Sequence, residues 1–310
     1  MAFPRTLEHK KTFGDLLDSD QFILSAELTP PRHYDLTDFM RKAEIVREYV
    51  DVVQINDHLL STARLTNLVV GQQCKLAGME PILQFTLRHK NRIALQGDLL
   101  GLAASGLHNI IVLGGYPCSI GNDPMAKDAS DLGSVEAVEK ISSLTKEGKL
   151  FNGDTISPPP IFRIGVVDFP CTPDKMEKSF ERLEKKIEAG AEFVQVQAVF
   201  DIGPMERWMQ EVVKRNLHTK ARFIGAVFPF CGLERLYILK EIPGLEIPDQ
   251  LLHRVEKNNS ERESLAVTLE LIHAIRSMEG ISGIHIRSIG AEDWVPKIVE
   301  AAGLGGEMMY

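Results

Sequence analysis

Short apolar runs rich in Val, Ile, Leu and Phe alternate along this chain with longer segments of helical period. The runs predict strands at 22–28, 50–55, 81–85, 109–113, 161–167, 193–197, 221–227 and 281–286. The intervening periods predict helices at 36–49, 61–77, 90–104, 134–147, 174–189 and 203–216. Further helices are expected at 232–240, 248–257, 260–278 and 291–302. Asp35 or Thr37 is placed to cap the first of these, and Gly78, Gly106 and Gly190 to close others. Ser260 and Glu263 are spaced as a capping box. Residues 114–133 are irregular and rich in Gly, Pro, Asn and Asp, and 148–160 end in three prolines. A loop as long as 114–133 inside a regular alternation is usually functional or disordered. Eight strands, each followed by a helix, predict an α/β chain folded as a single (β/α)8 TIM barrel over 21–304. Residues 1–20 read as a polar N-terminal arm with one helical turn, and 305–310 as a C-terminal tail. No linker divides the barrel.

In such a barrel the chemistry sits at the carboxyl ends of the strands. The first strand runs Phe22-Ile-Leu-Ser-Ala-Glu27, and Pro30-Pro31 then fixes the path of the chain. Glu27 reads either as a site acid or as the solvated last residue of a strand. The other strand ends offer Asn56-Asp57-His58, Gln84 with Thr86 to His89, Gly114-Gly115-Tyr116, Asp168, Gln195 and Gln197, Phe228 and Phe230, and Arg287-Ser288. A polar side chain in an apolar strand is costly unless paired. Gln84, Gln195 and Gln197 therefore serve either barrel-interior hydrogen bonding or a ligand. Position at the strand end favours ligand contact for Gln197, and Gln195 reads as structural. Gly114-Gly115 would let backbone N–H groups approach a ligand closely, although it is no GxGxxG fingerprint. His58 and His89 are not spaced as metal ligands, so no metal site is expected. On spacing alone, Lys185-Lys186 reads as a solvated helix face.

Composition narrows the function classes. The 310 residues are 44% hydrophobic, enough for a sizeable core, and carry a net charge of −8 without a dense Lys/Arg run. That balance argues against nucleic-acid binding. Four scattered cysteines form no CxxC pair, which suits reduced thiols in a cytoplasm better than zinc or a disulfide framework. The first residues lack the apolar core of a secretory signal, and no apolar run is long enough to span a membrane.

Several stretches in order resemble the methylenetetrahydrofolate reductases, (β/α)8 flavoenzymes of one-carbon metabolism. They are Ala26-Glu-Leu-Thr-Pro-Pro31, Ile55-Asn-Asp57, Gln84-Phe-Thr-Leu-Arg-His-Lys-Asn-Arg92, Ala94-Leu-Gln-Gly-Asp-Leu-Leu-Gly101, Leu183-Glu-Lys-Lys-Ile-Glu-Ala-Gly-Ala191, Gln195-Val-Gln-Ala-Val-Phe-Asp201 and Ile284-His-Ile286. The resemblance looks closest to the acetogen-type branch, whose reductase works beside a separate partner subunit. It implies reduction of 5,10-methylenetetrahydrofolate to 5-methyltetrahydrofolate by hydride transfer through bound FAD. The electrons would come from NAD(P)H or from a reduced-flavin or ferredoxin-type donor. Glu27 aligns with the family's catalytic acid, a role that suits a carboxyl whose pKa burial has raised. Asn56, Gln84, Thr86, Gly115, Tyr116 and Lys186 fall where the family meets the flavin, and Gln197, Phe228 and Leu233 where it meets folate. Three positions depart from the pattern. Tyr116 stands where the family has an aspartate, Ser179 where it has another acid, and Leu233 where it has a phenylalanine. These departures leave open a retuned flavoenzyme, flavin-free transfer from the nicotinamide, or an accessory folate-binding subunit of a larger complex. Exposed charged helices such as 174–189 are compatible with a homo-oligomer.

Overall fold

The structure is a computed structural model that describes residues 11–170 and 172–304. Among the described residues, eight parallel strands close in chain order into a barrel, with strand one paired to strand eight. The strands are β1 (Ile23–Leu28), β2 (Val52–Ile55), β3 (Pro81–Thr86), β4 (Asn109–Leu113), β5 (Arg163–Asp168), β6 (Phe193–Val196), β7 (Arg222–Val227) and β8 (Ile281–Ile286). The predicted (β/α)8 TIM barrel is therefore present, with each strand close to its expected place.

The first helix is α1 (Phe13–Leu17), in the stretch expected to be an arm. It is followed around the barrel by α2 (Thr37–Arg47), α3 (Asn67–Leu76), α4 (Arg92–Ala104), α5 (Ser134–Glu147), α6 (Pro173–Glu188) and α7 (Ile202–Lys214). Between β7 and β8 come α8 (Leu233–Lys240), α9 (Asp249–Lys257) and α10 (Glu261–Arg276), and α11 (Val295–Ala301) closes the ring. The capping box expected at Ser260 is half formed: the Ser260 hydroxyl accepts from the Glu263 N–H at 3.2 Å.

Inside the barrel, side chains alternate inward and outward along each strand, so inward residues of neighbouring strands form layers. The lowest layer is apolar. Ile23, Val52, Ile82, Ile111, Phe193 and Ile224 pack there with Phe13, Leu16 and Leu17 of α1. Helix α1 thus plugs the amino-terminal mouth. Its Phe13 ring meets Phe193 edge-on, with centroids 4.9 Å apart. The Phe193 ring needs a residue without a side chain beside it, since a Cβ on Gly165 would lie 2.2 Å from that ring. One layer higher the interior turns polar, with Ser25, Gln54, Gln195 and His285 all buried. The site is bounded by this layer and the one above it.

One expected helix begins late. Residues 61–66 form no α-helix, and α3 starts at Asn67. His58, Leu60 and Ser61 all take left-handed backbone conformations, with φ of 47°, 53° and 51°. For residues other than glycine this is strained and persists only where surroundings enforce it. The Ser61 hydroxyl donates to the Tyr116 carbonyl at 2.9 Å, and the Leu65 N–H to the Pro31 carbonyl at 2.9 Å. Among the described residues, no helix is long and apolar enough to cross a membrane.

Candidate active site

The carboxyl ends of the strands surround a cavity of about 480 Å³, within the usual range for a small-molecule site. The loop from Asp57 to Ser61 forms one wall, and Gln84 and Thr86 stand beside it on β3. The chain leaving β4 at Gly114-Gly115-Tyr116 forms the next side. Asp168 and Phe169 at the end of β5, with Gln195 of β6 and Gln197 just beyond it, stand opposite. Pro243 and Gly244, between α8 and α9, and Arg287 after β8 complete the lining.

Glu27 is fully buried and lies behind this lining. Its Oε2 accepts from Arg287 Nε at 2.9 Å, and its Oε1 accepts from Asn56 Nδ2 at 3.1 Å. Ser288 Oγ donates to the Glu27 carbonyl at 2.6 Å. His285 Nε2 stands 3.7 Å from Oε2, and Ser25 Oγ lies 2.9 Å from His285 Nδ1 on the far side of the ring. Burial alone would push the Glu27 carboxyl up. The Arg287 guanidinium, with His285, outweighs burial and holds the carboxyl at about 2. The expected raised acid is therefore a carboxylate in the free protein. Burial pushes His285 down, which keeps its ring neutral near pH 7.

Arg287 is the residue that separates Glu27 from the cavity. Its Nη1 donates to Gln197 Oε1 at 3.3 Å, and its Cζ sits 4.9 Å from the centre of the Phe228 ring. Phe228 is thereby placed beneath a cation, outside the lining. Leu233 also lies off the lining, at the start of α8, where its N–H donates to Asn259 Oδ1 at 2.9 Å.

The residues implied in flavin contact divide. Gln84, Thr86, Gly115 and Tyr116 line the cavity. Thr86 is bound internally: its N–H donates to Asp57 Oδ2 at 3.0 Å and its Oγ1 to the Asp57 carbonyl at 3.1 Å. Gly115 holds φ of 77°, and a Cβ there would lie 2.2 Å from Thr86 Cγ2, so both conformation and space require glycine. The Tyr116 hydroxyl reaches over the mouth and donates to the Pro243 carbonyl at 3.2 Å. Asn56 and Lys186 are off the lining. Asn56 Nδ2 is divided between Glu27 and Thr29.

Lys186 corrects the reading made from spacing. It is buried, where a solvated helix face was expected, while Lys185 beside it is exposed. Lys186 Nζ donates to the Val167 carbonyl at 3.0 Å and stands 3.9 Å from Asp168 Oδ2. Burial pushes the lysine down and the aspartate up, each against the pull of the other. Ser179, where the family has an acid, donates its hydroxyl to Asp168 Oδ1 at 3.0 Å. The acid at this side of the cavity is thus Asp168. Gln195, read as structural, lines the cavity, and its Oε1 has no hydrogen-bond partner among the described residues. Sequence reasoning named Asp168 and Arg287 as strand-end groups without giving either a role. The available signal for Arg287 was its position two residues beyond His285, which gives both the same inward direction. Among the described residues, no three His, Cys, Asp or Glu side chains come together to hold a metal ion.

The model of the methylenetetrahydrofolate reductase family matches residues 12–303, nearly the whole chain. The chain belongs to the methylenetetrahydrofolate reductase family. A probable methylenetetrahydrofolate reductase (NADPH) from Caenorhabditis elegans is 20% identical over 305 residues. That match covers 93% of this chain and 43% of the worm protein, so the chain spans less than half the length of its curated relative. Among solved structures, an uncharacterised protein from Clostridium thermocellum that binds two copies of 5-methyl-5,6,7,8-tetrahydrofolic acid superposes with a TM-score of 0.67. The identity is 14%, covering 95% of this chain and all of that one. An F420-dependent secondary alcohol dehydrogenase in complex with an F420–acetone adduct gives a TM-score of 0.57 at 11% identity, over 91% of this chain and 99% of its own. At these identities the structural likeness concerns the fold. In this chain Glu27, Asn56, Gln84 and Gln197 stand at one end of the barrel.

Proposed function

We propose that this chain is an oxidoreductase that reduces 5,10-methylenetetrahydrofolate to 5-methyltetrahydrofolate. The observation that carries the reading is a family match over the whole barrel joined to the geometry of its catalytic face. A buried carboxylate, Glu27, lies there behind a cavity lined by Gln197. The methyltetrahydrofolate bound by the Clostridium thermocellum protein supports a folate as the ligand of this fold.

The chemistry sets the tasks of the site. A proton must reach the ring nitrogen distal to the pterin, so that its bond to the methylene carbon breaks and an iminium forms. A hydride then adds to that carbon and gives the methyl group. The folate gains one proton and one hydride, and the donor loses two electrons. Glu27 is the acid of the proposal, and Gln197 and Gln195 hold the ligand by their amides. The apolar walls of the cavity exclude water from the iminium.

FAD would supply a two-electron relay between nicotinamide and folate. Three of the residues that imply it are engaged elsewhere in this chain, while Gln84, Gly115 and Tyr116 line the cavity. Lys186 is buried against Asp168, Thr86 is bound to Asp57, and Asn56 is bound to Glu27. Among the described residues, the basic side chains lining the cavity are His58, His89 and Arg287, which are not in that set. These residues do not fit the diphosphate of a resident FAD. They favour a donor that arrives as a second substrate, NAD(P)H, and inserts only its ring. Purified protein given NAD(P)H and methylenetetrahydrofolate should form 5-methyltetrahydrofolate, read by chromatography, without a flavin absorption band. Absence of product with NADPH, NADH and reduced flavin alike would overturn the reductase reading. One tightly bound flavin per chain would overturn the flavin-free part alone. Glu27→Gln should lower turnover by about 10²–10⁴-fold, the usual weight of a general acid.

A further inference from the structure

Glu27 as acid meets an obstacle on its own side of the cavity. An ionised carboxylate has no proton to give, and Arg287 stands between it and any ligand. The contacts of Arg287 suggest how both conditions change together. Its bond to Glu27 is close, at 2.9 Å, while its bond to Gln197 is long, at 3.3 Å. Its guanidinium rests on the Phe228 ring at 4.9 Å, a support that holds a planar cation without fixing its in-plane rotation. One end of the guanidinium therefore meets the buried acid, and the other lies on the cavity wall beside a residue expected to touch the ligand.

We propose that Arg287 is a movable positioning residue: paired with Glu27 in the free protein it shuts the acid away from the cavity, and a bound folate draws the guanidinium off, so that Glu27 takes up a proton and faces the substrate. The inference rests on the folate reading above and deepens it. A folate carries acceptor oxygens on its pterin and its glutamate, and either can compete for an arginine that already reaches the cavity. Once the guanidinium leaves, Glu27 keeps Asn56 as its hydrogen-bond donor and His285 as its neighbour. The other titratable groups that bear on it are Arg287 itself, from the exit of β8, and the Tyr116 phenol, from the exit of β4. A carboxylate buried to this depth without its cation binds a proton near neutral pH. The device delivers the acid only when substrate is in place, and no separate proton donor is needed.

The test is the proton balance of ligand binding. Binding of 5-methyltetrahydrofolate to the intact chain is followed by titration calorimetry between pH 6 and 8, in buffers of different ionisation enthalpy. The wild type should take up close to one proton per ligand bound. Glu27→Gln should bind with no uptake. Arg287→Met, whose Glu27 is already protonated, should take up far less than the wild type. Arg287→Lys, which retains a cation, should recover part of the uptake and covers the case in which the methionine variant folds poorly. Binding by the wild type without proton uptake would overturn the gate and leave the folate reading standing. Uptake that persists in Glu27→Gln would assign the proton to His285 and also overturn it. A wild type that does not bind 5-methyltetrahydrofolate would overturn the folate reading, and the gate with it.

Discussion

Glu27 and Arg287 show how one residue's chemistry depends on a partner 260 positions away. The sign of their pH effect follows from the depressed carboxyl. The stabilisation is fully present above about 4.5, the ordinary value, and is lost as pH falls toward about 2. Arg287→Met leaves the buried Glu27 without its cation, so that it folds only with a proton taken up, and should cost about 3–5 kcal/mol at pH 7. The cost should shrink toward pH 4–5, where the Glu27 carboxyl of the unfolded chain is protonated as well, as read by urea unfolding at several pH values. A cost unchanged with pH would show that the pair does not set the charge of Glu27. Gly115 gives a second prediction at this scale. Gly115→Ala meets both a positive φ and the Thr86 methyl, and should destabilise by about 2–3 kcal/mol. Adding Thr86→Ser removes the methyl but keeps the hydroxyl on the Asp57 carbonyl, so part of the loss should return. Glu27 was legible in the sequence because a carboxylate ending an apolar run is unusual. Its ionisation was not legible, since that depends on a guanidinium brought alongside only when β8 closes against β1.

Helices and strands were legible where local pattern decides them, and less so where a distant surface does. The strands and the outer helices follow their apolar period closely. Helix α3 begins six residues after its expected start, because the loop over the mouth is fixed by Ser61 on Tyr116 and by Leu65 on Pro31. Nothing in the local sequence of 61–66 states those contacts. Helix α1 is the opposite case. Five residues in a polar stretch read as one turn of an arm, yet Phe13, Leu16 and Leu17 close the base of the barrel. The side chain of Phe13 is completely buried. Phe13→Ala should therefore cost about 3–5 kcal/mol in chemical unfolding, the range for a buried aromatic. A cost below about 1 kcal/mol would return α1 to the status of an appended arm. Activity should survive under conditions where the variant stays folded, because the plug lies at the mouth opposite the site.

At the scale of the whole molecule, the barrel places its polar residues in layers, and only some members of the two upper layers meet the cavity. The sequence order lists strand-end residues without saying which of them reach the cavity. It therefore grouped Asn56 and Lys186 with Gln84 and Tyr116, which closure of the barrel separates. The same closure turns Tyr116 from a missing acid into a tie across the mouth. Its hydroxyl joins the exit of β4 to the turn at Pro243, between segments 127 residues apart in the chain. One such hydrogen bond contributes on the order of 1 kcal/mol, a factor of about five in an equilibrium between closed and open mouths. If the tie limits access, Tyr116→Phe should raise the rates of 5-methyltetrahydrofolate association and dissociation together by about that factor. The ratio of the two rates, and so the affinity, should change less than either. Stopped-flow binding followed by the two tryptophans of the chain or by ligand absorbance separates the rates. A change in dissociation alone would make Tyr116 a ligand contact, and unchanged rates would leave the hydroxyl a purely structural brace. The phenol keeps its proton through this range, since burial pushes it up, so the comparison holds at any pH from 6 to 8.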